Sequence, residues 1–171
     1  MSKKTDLRDF QQDLAARLNQ AEEREAAAAL LCVEAGSERW LLNLSDAGEV
    51  VPLPPLAEVP RTRPWYAGLT NIRGTLYSVV DLAAFHGDPP TPRNGEARLL
   101  LVGAKHGINS ALLVTRILGL KAPEGLKSEP APVDAERPWA GERLRDAGGG
   151  LWRRLNVRPL LDAPRFLNIA S

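Results

Sequence analysis

No stretch of this chain stays apolar for long. The longest unbroken apolar run, Ala26 to Val33, covers eight residues, and 14 Gly and 14 Pro punctuate the sequence. A run that short cannot cross a bilayer as a helix, and frequent Gly and Pro favour many short strands joined by turns. Two segments show the pattern most clearly. Ala29-Leu30-Leu31-Cys32-Val33-Glu34-Ala35 meets a turn at Gly36-Ser37 and continues through Glu38 to Leu44. Arg98-Leu99-Leu100-Leu101-Val102-Gly103-Ala104 meets a turn around Lys105-His106-Gly107 and continues through Ile108 to Val114. Each reads as an antiparallel hairpin in a sheet buried mostly on both faces.

A second pair of related segments follows. Leu76 to Phe85 contains Val79-Val80-Asp81-Leu82, and Val157 to Phe166 contains Leu160-Leu161-Asp162-Ala163. Both are expected to be a strand ending in two aliphatics and an Asp, then a helical turn with a Phe four residues on. Asp81 and Asp162 are thereby expected to cap those turns, because a carboxylate accepts from free N–H groups and suits the positive helix end. Gly87 is expected to end the first turn in a left-handed conformation, with Pro89-Pro90 blocking its resumption. Hairpin, linker, strand and Asp-capped turn thus occur twice, which describes two similar small barrels. Val51 to Pro60 is an extended Pro-rich connection. Residues 121–150, with four prolines and three consecutive glycines, are expected to be the least structured part, with Trp139 docked.

Residues 1–28 form a separate N-terminal element and 29–171 the remaining domain. Leu7, Phe10, Leu14, Leu18 and Ala21 recur at steps of three and four, predicting an amphipathic helix over about Thr5 to Ala29, capped by Thr5 or Asp6. Its apolar stripe is expected to pack on its own domain.

Charge and chemistry narrow the function. Lys and Arg number 22 against 21 Asp and Glu, leaving a net charge of +1. That balance disfavours a nucleic-acid partner and electrostatic capture by a membrane. No apolar signal core follows the N-terminus, so the expected location is the cytoplasm, without direct membrane insertion. Cys32 is expected to be buried and inert, and no Cys/His cluster has metal spacing. His86 and His106, the only two histidines, are expected at the surface. No nucleophile motif or phosphate loop occurs. The expectation is a protein that is not an enzyme and uses no cofactor.

The most informative stretch runs from Trp65 to Leu82: a short apolar turn or helix, an Asn-x-Arg-Gly corner, and a strand reaching Asp81. Gly74 is expected to supply positive φ at that corner. In Gly68, Asn71, Arg73, Gly74, Asp81 and Leu82 the chain resembles the CheW-like family of chemotaxis adaptors. Val59-Pro60, Ala111-Leu112-Leu113-Val114 and Leu160-Leu161-Asp162 extend the resemblance over about Leu30 to Leu167. The added first helix and the diverged middle resemble the PilI type, from twitching-motility (type IV pilus) systems. The resemblance implies two intertwined five-stranded SH3-like β-barrels. It implies a non-catalytic adaptor, recruited to inner-membrane receptor arrays through two partners, a methyl-accepting chemoreceptor tip and the regulatory domain of a chemotaxis-type histidine kinase. Gly68, Asn71 and Arg73 become the implied partner-binding residues. Gly74, Asp81, Gly87 and Asp162 are the structural corner and caps. Thr115 departs from the family's usual Asp.

The alternative is a barrel that binds single-stranded nucleic acid or oligosaccharide. Arg61, Arg63 and Arg73 lie near Trp65 and Tyr66 in sequence, and Arg153, Arg154 and Arg158 follow Trp152. Basic residues beside aromatic platforms are the chemistry that reading needs.

Overall fold

The computed structural model of the protein describes residues 2–171, with side chains described except at 2–6 and 25–27. Helix α1 (Ser2–Ala28) precedes the hairpin β1 (Leu30–Ala35) and β2 (Glu38–Asn43), then β3 (Ala47–Pro52). After the Pro-rich connection come β4 (Tyr66–Ile72), β5 (Thr75–Asp81) and the short helix α2 (Leu82–Phe85). The second hairpin is β6 (Arg98–Val102) and β7 (Ser110–Val114). Strands β8 (Arg116–Lys121), β9 (Lys127–Glu129), β10 (Ala140–Arg145) and β11 (Leu151–Leu155) follow, then α3 (Val157–Asp162) and α4 (Pro164–Leu167).

The strands make two sheets that interleave along the chain. One has the order β8-β1-β2-β11-β10-β9, the other β3-β6-β7-β5-β4. The first hairpin therefore belongs to the sheet completed by the last strands, while the other sheet is built from the middle. Two pairs, β5 with β7 and β2 with β11, are parallel. Sheet content matches expectation except that one sheet carries a sixth strand, the three-residue β9. In the five-stranded sheet the chain beyond β3 returns to the far edge. Ala57 of that connection pairs with Leu69 of β4 through backbone hydrogen bonds of 2.8 and 2.9 Å, so the chain after β3 lies against the far edge strand.

The apolar runs of the hairpins are explained by three cores. Leu99, Leu101, Ala111, Leu113 and Val79 fill the five-stranded sheet. Leu30, Cys32, Leu41, Leu144 and Trp152 fill the six-stranded one. The alternate residues Leu31, Val33, Trp40, Leu42, Val80, Leu100, Val102, Leu112 and Val114 meet between the sheets, with Phe85, Trp139, Leu160 and Phe166. Because successive strand side chains point to opposite faces, a strand serving two cores must be apolar at every position. Burial also raises the Cys32 thiol above its usual range, against a smaller opposing effect of Lys121.

Five expectations are corrected. Helix α1 begins before the cap expected at Thr5 or Asp6, whose side chains lie outside those described. Its stripe does not pack on the sheets: Leu7, Phe10, Leu14 and Leu18 are 65%, 67%, 49% and 58% exposed. The segment before Asn71 is a strand, β4, and not a turn or helix. Val157–Asp162 and Pro164–Leu167 are helical, so Asp162 is the last residue of α3 and caps nothing; α4 starts behind Ala163 without a side-chain cap. Finally, 121–150 is more ordered than expected. It holds β9 and β10, Trp139 is buried in the inter-sheet core, and Asp146 ties the glycine turn by accepting from Gly148 N, Gly150 N and Trp152 Nε1.

Candidate functional site

The β4–β5 register determines the corner. Ile72 pairs with Thr75, leaving Arg73-Gly74 as a two-residue loop. Both have positive φ, 50° for Arg73 and 85° for Gly74, as a type I′ turn requires to match the strand twist. Asn71 contributes locally, its Oδ1 accepting from Gly74 N at 2.9 Å. Gly74 suits its position, since no side chain has to adopt that φ. Arg73 does not. Asn, Asp or Gly is the usual choice at the first position, so an arginine held there carries backbone strain.

Arg73 reaches across to β3. Its Nη1 donates to Glu49 Oε1 at 3.0 Å and its Nη2 to Glu49 Oε2, a fork-to-fork pair. The hydrogen bond to Arg73 holds the Glu49 carboxyl below its usual range, and the same bond raises the guanidinium above its own. The pair stays in water, with the Arg73 side chain 68% exposed. Asn71, Arg73 and Gly74 are all exposed, with Leu76 beside them on β5. The result is a charged, hydrogen-bonding loop with an oriented guanidinium and an apolar neighbour.

Gly68 lies elsewhere on the same strand. It is buried at a β4 irregularity with φ of 130°, and a Cβ there would sit 2.4 Å from the Ala57 carbonyl oxygen. Its lack of a side chain lets the Ala57 bridge form, so it shapes β4 rather than the exposed corner.

The structural residues divide. Asp81 is buried and caps α2, accepting from Ala84 N at 3.3 Å. It also accepts from Thr91 N at 2.8 Å and Thr91 Oγ1 at 2.7 Å, tying down the loop after Pro89-Pro90. Gly87, with φ of 90°, ends α2 as expected. Asp162 is exposed and accepts from Arg158 Nε at 3.1 Å. At the Thr115 departure the hydroxyl accepts from Gly36 N at 3.2 Å, packing that corner on the first hairpin turn.

Both histidines are inside, not at the surface. His86 stacks on Trp40 with ring centroids 4.6 Å apart. Its Nε2 accepts from Trp139 Nε1 at 2.9 Å, which leaves the proton on Nδ1 to donate to Leu82 O at 2.8 Å. Burial pushes its pKa down to about 4, outweighing the bond to Leu82. His106 has only 8% of its side chain exposed and contacts Asp46 at 3.0 Å. Sequence reasoning missed both environments, and also Glu49 and Thr91. Glu49 precedes Arg73 by 24 residues, and no local spacing marks the pair. The partners of Asp81 were signalled only by Pro89-Pro90, which turns the chain back.

The rings required by the nucleic-acid alternative are not available for stacking. Trp65, Tyr66 and Trp152 are buried, and the Arg39 guanidinium lies over the Trp152 ring at 4.6 Å. Arg154 and Arg158 are occupied with Asn43 and Asp162. Among the described residues no group of acidic, His or Cys side chains could hold a metal ion, and no helix is long and apolar enough to cross a membrane.

Three comparisons bear on this geometry. The family model for the CheW-like domain matches residues 29–165. Protein PilI of Pseudomonas aeruginosa is 28% identical over 87 residues, 50% of this chain and 48% of that protein, so the match spans about half of the relative's length. The crystal structure of scaffolding protein TtCheW from Thermoanaerobacter tengcongensis superposes with a TM-score of 0.65 at 16% identity, covering 81% of this chain and 95% of that one. That likeness shows the fold, two interleaved sheets, and the added α1 lies outside the family match. With residues 29–165 matched, most of its length, the chain belongs to the CheW-like family.

Proposed function

We propose that this protein joins methyl-accepting chemoreceptors to a histidine kinase, and that the Asn71–Gly74 corner is a partner-binding surface. The observation that carries the reading is the strained, exposed Arg73. An arginine at φ of 50° is a poor choice for the turn itself. Strain retained at an exposed loop that a rigid sheet positions is expected where the side chain serves recognition. The guanidinium, already oriented by Glu49, is suited to a carboxylate or to main-chain carbonyls on a partner. The receptor tip and the regulatory domain of the kinase are the assigned partners, met in the cytoplasm at inner-membrane arrays. The 28% identity with PilI favours a pilus or twitching-motility pathway over a flagellar one.

Calorimetric titration of the purified chain with a receptor-tip fragment and with an isolated kinase regulatory domain tests the reading. Binding to both, and a ternary complex when all three are mixed, is expected. Absence of binding to either partner from a twitching-motility system, with binding to flagellar partners, would move the protein to the other pathway. Absence of binding to all of them would overturn the adaptor assignment.

A further inference from the structure

The six-stranded sheet carries a second charged feature, remote in sequence from the corner. Arg153 of β11 is only 8% exposed, and its Nε is buried without a hydrogen-bond partner. Buried guanidinium groups are normally paired, because removing the charge from water is costly unless hydrogen bonds replace the lost solvent. Here the surroundings make matters worse. Arg143 of β10 stands directly opposite Arg153 in the ladder, an unfavourable like-charge pairing. Burial, followed by repulsion from Arg137, lowers the Arg153 pKa, against a smaller opposing effect of Glu38.

These residues border one cavity. Arg153, Arg143 and Arg39 line a space of about 340 Å³ at the starts of the parallel strands β2 and β11, with Trp152 and Leu151 beside them and Glu38 the only carboxylate in the lining. Glu38 is itself directed to Arg137, at 3.8 Å. Neither Arg143 nor Arg153 forms an ion pair among the described residues, and Arg39 is held by the Trp152 ring. Two unpaired arginines opposite each other in the ladder, Arg143 and Arg153, thus border a small space with too little negative charge to satisfy them.

We propose that this cavity is an oxyanion-binding site that takes a phosphate or carboxylate group. Forked N–H donors match the planar edge of a carboxylate and two oxygens of a phosphate, and a bound anion would supply the partner Arg153 lacks. The group could come from a free small anion or from an acidic segment of a protein, and the two sources are separable by experiment. The site does not depend on the corner around Arg73.

The test uses the full chain, with sodium pyrophosphate and a hexaglutamate peptide as probes at matched ionic strength, read by thermal melts and calorimetry. Wild-type protein is expected to melt several degrees higher with a saturating probe, at one anion per chain, because a ligand that binds only the folded state stabilises it. A response to pyrophosphate alone assigns the site to free anions, and a stronger response to hexaglutamate assigns it to acidic segments. Arg143→Gln should weaken binding about tenfold or more. Arg153→Met should melt at or above the wild type without anion, since it removes an unpaired buried charge, yet show no anion-dependent shift. If Arg153→Met instead melts far lower, Arg143→Gln decides alone. No shift in the wild type, or the same shift in Arg143→Gln as in the wild type, overturns the proposal.

Discussion

The segments ending β5 and following β11 look alike in sequence and differ in what surrounds them. Val80-Asp81-Leu82 and Leu161-Asp162-Ala163 align, as do Phe85 with Phe166 and His86 with Leu167. Phe85 and Phe166 meet each other edge to face at 5.8 Å in the inter-sheet core. Arg165 adds to the contact by donating to the Phe85 carbonyl at 2.6 Å. The aligned polar positions diverge. Asp81 is buried and saturated with donors, whereas Asp162 faces solvent. His86 is enclosed between Trp40 and Trp139, whereas Leu167 is exposed. The same residue type at the same offset therefore has a structural role only where a second element closes over it.

Substitution at the buried aspartate should show the largest effect. Asp81→Ala leaves Thr91 N and Ala84 N without their acceptor inside the fold, and should cost about 4 kcal/mol in a denaturant titration. Asp162→Ala should stay within about 0.5 kcal/mol of wild type. Equal losses at the two sites would mean that the segments are equivalent after all.

Next in size is the pH dependence of His86. Its folded pKa of about 4 lies below the unfolded value near 6.5, so the unfolded chain binds a proton more readily. The stability of neutral His86 is fully present above about pH 6.5 and falls as the pH drops towards 4, by up to about 3 kcal/mol. Arg137, Arg165 and Asp88 face the ring electrostatically, the two arginines reinforcing the shift and Asp88 opposing it. Chemical melts at pH 7 and pH 4.5 should differ clearly for wild type and much less for His86→Gln. At more acidic pH a second loss is expected from Asp146. The Trp152 indole N–H holds its pKa down to about 2, so its contribution is present above about pH 4 and disappears on the way to pH 2.

The smallest effect is expected at α1. Deleting residues 1–24 should leave the melting temperature within about 2 °C, because the stripe that could be lost from burial is already exposed. A drop of many degrees would show that the stripe is covered in solution.

Strands buried on both faces were legible because serving two cores demands uninterrupted Leu and Val, and the Arg73-Gly74 corner because it needs Gly in a fixed place. The second Asp segment misled because a two-aliphatic-plus-Asp pattern fits both a strand end and a helix. Pro159 and Pro164 were the available warning: proline interrupts a ladder but is tolerated in the first turn of a helix. β10 was missed because Gly141, Glu142, Arg143 and Arg145 leave only Ala140 and Leu144 buried, too few for a period-two signal. The amphipathic pattern of α1 identified a helix, but periodicity alone does not supply the surface that would cover it. Partners joined across the fold, such as Glu49 for Arg73 and Trp139 for His86, leave no local trace.

The most direct test of the adaptor account is calorimetric titration of wild type, Arg73→Glu and Arg73→Asn with the receptor-tip fragment and the kinase regulatory domain, alongside their melting curves. Arg73→Glu sets a second carboxylate beside Glu49 and against any acidic partner surface, and should weaken association with at least one partner about tenfold or more. Arg73→Asn relaxes the turn while removing the fork, and should melt at or slightly above wild type while also binding less tightly. Unchanged affinity of both variants for both partners, with melting temperatures many degrees lower, would make Arg73 a brace between β3 and the β4–β5 corner and contradict its assignment as a partner-binding residue.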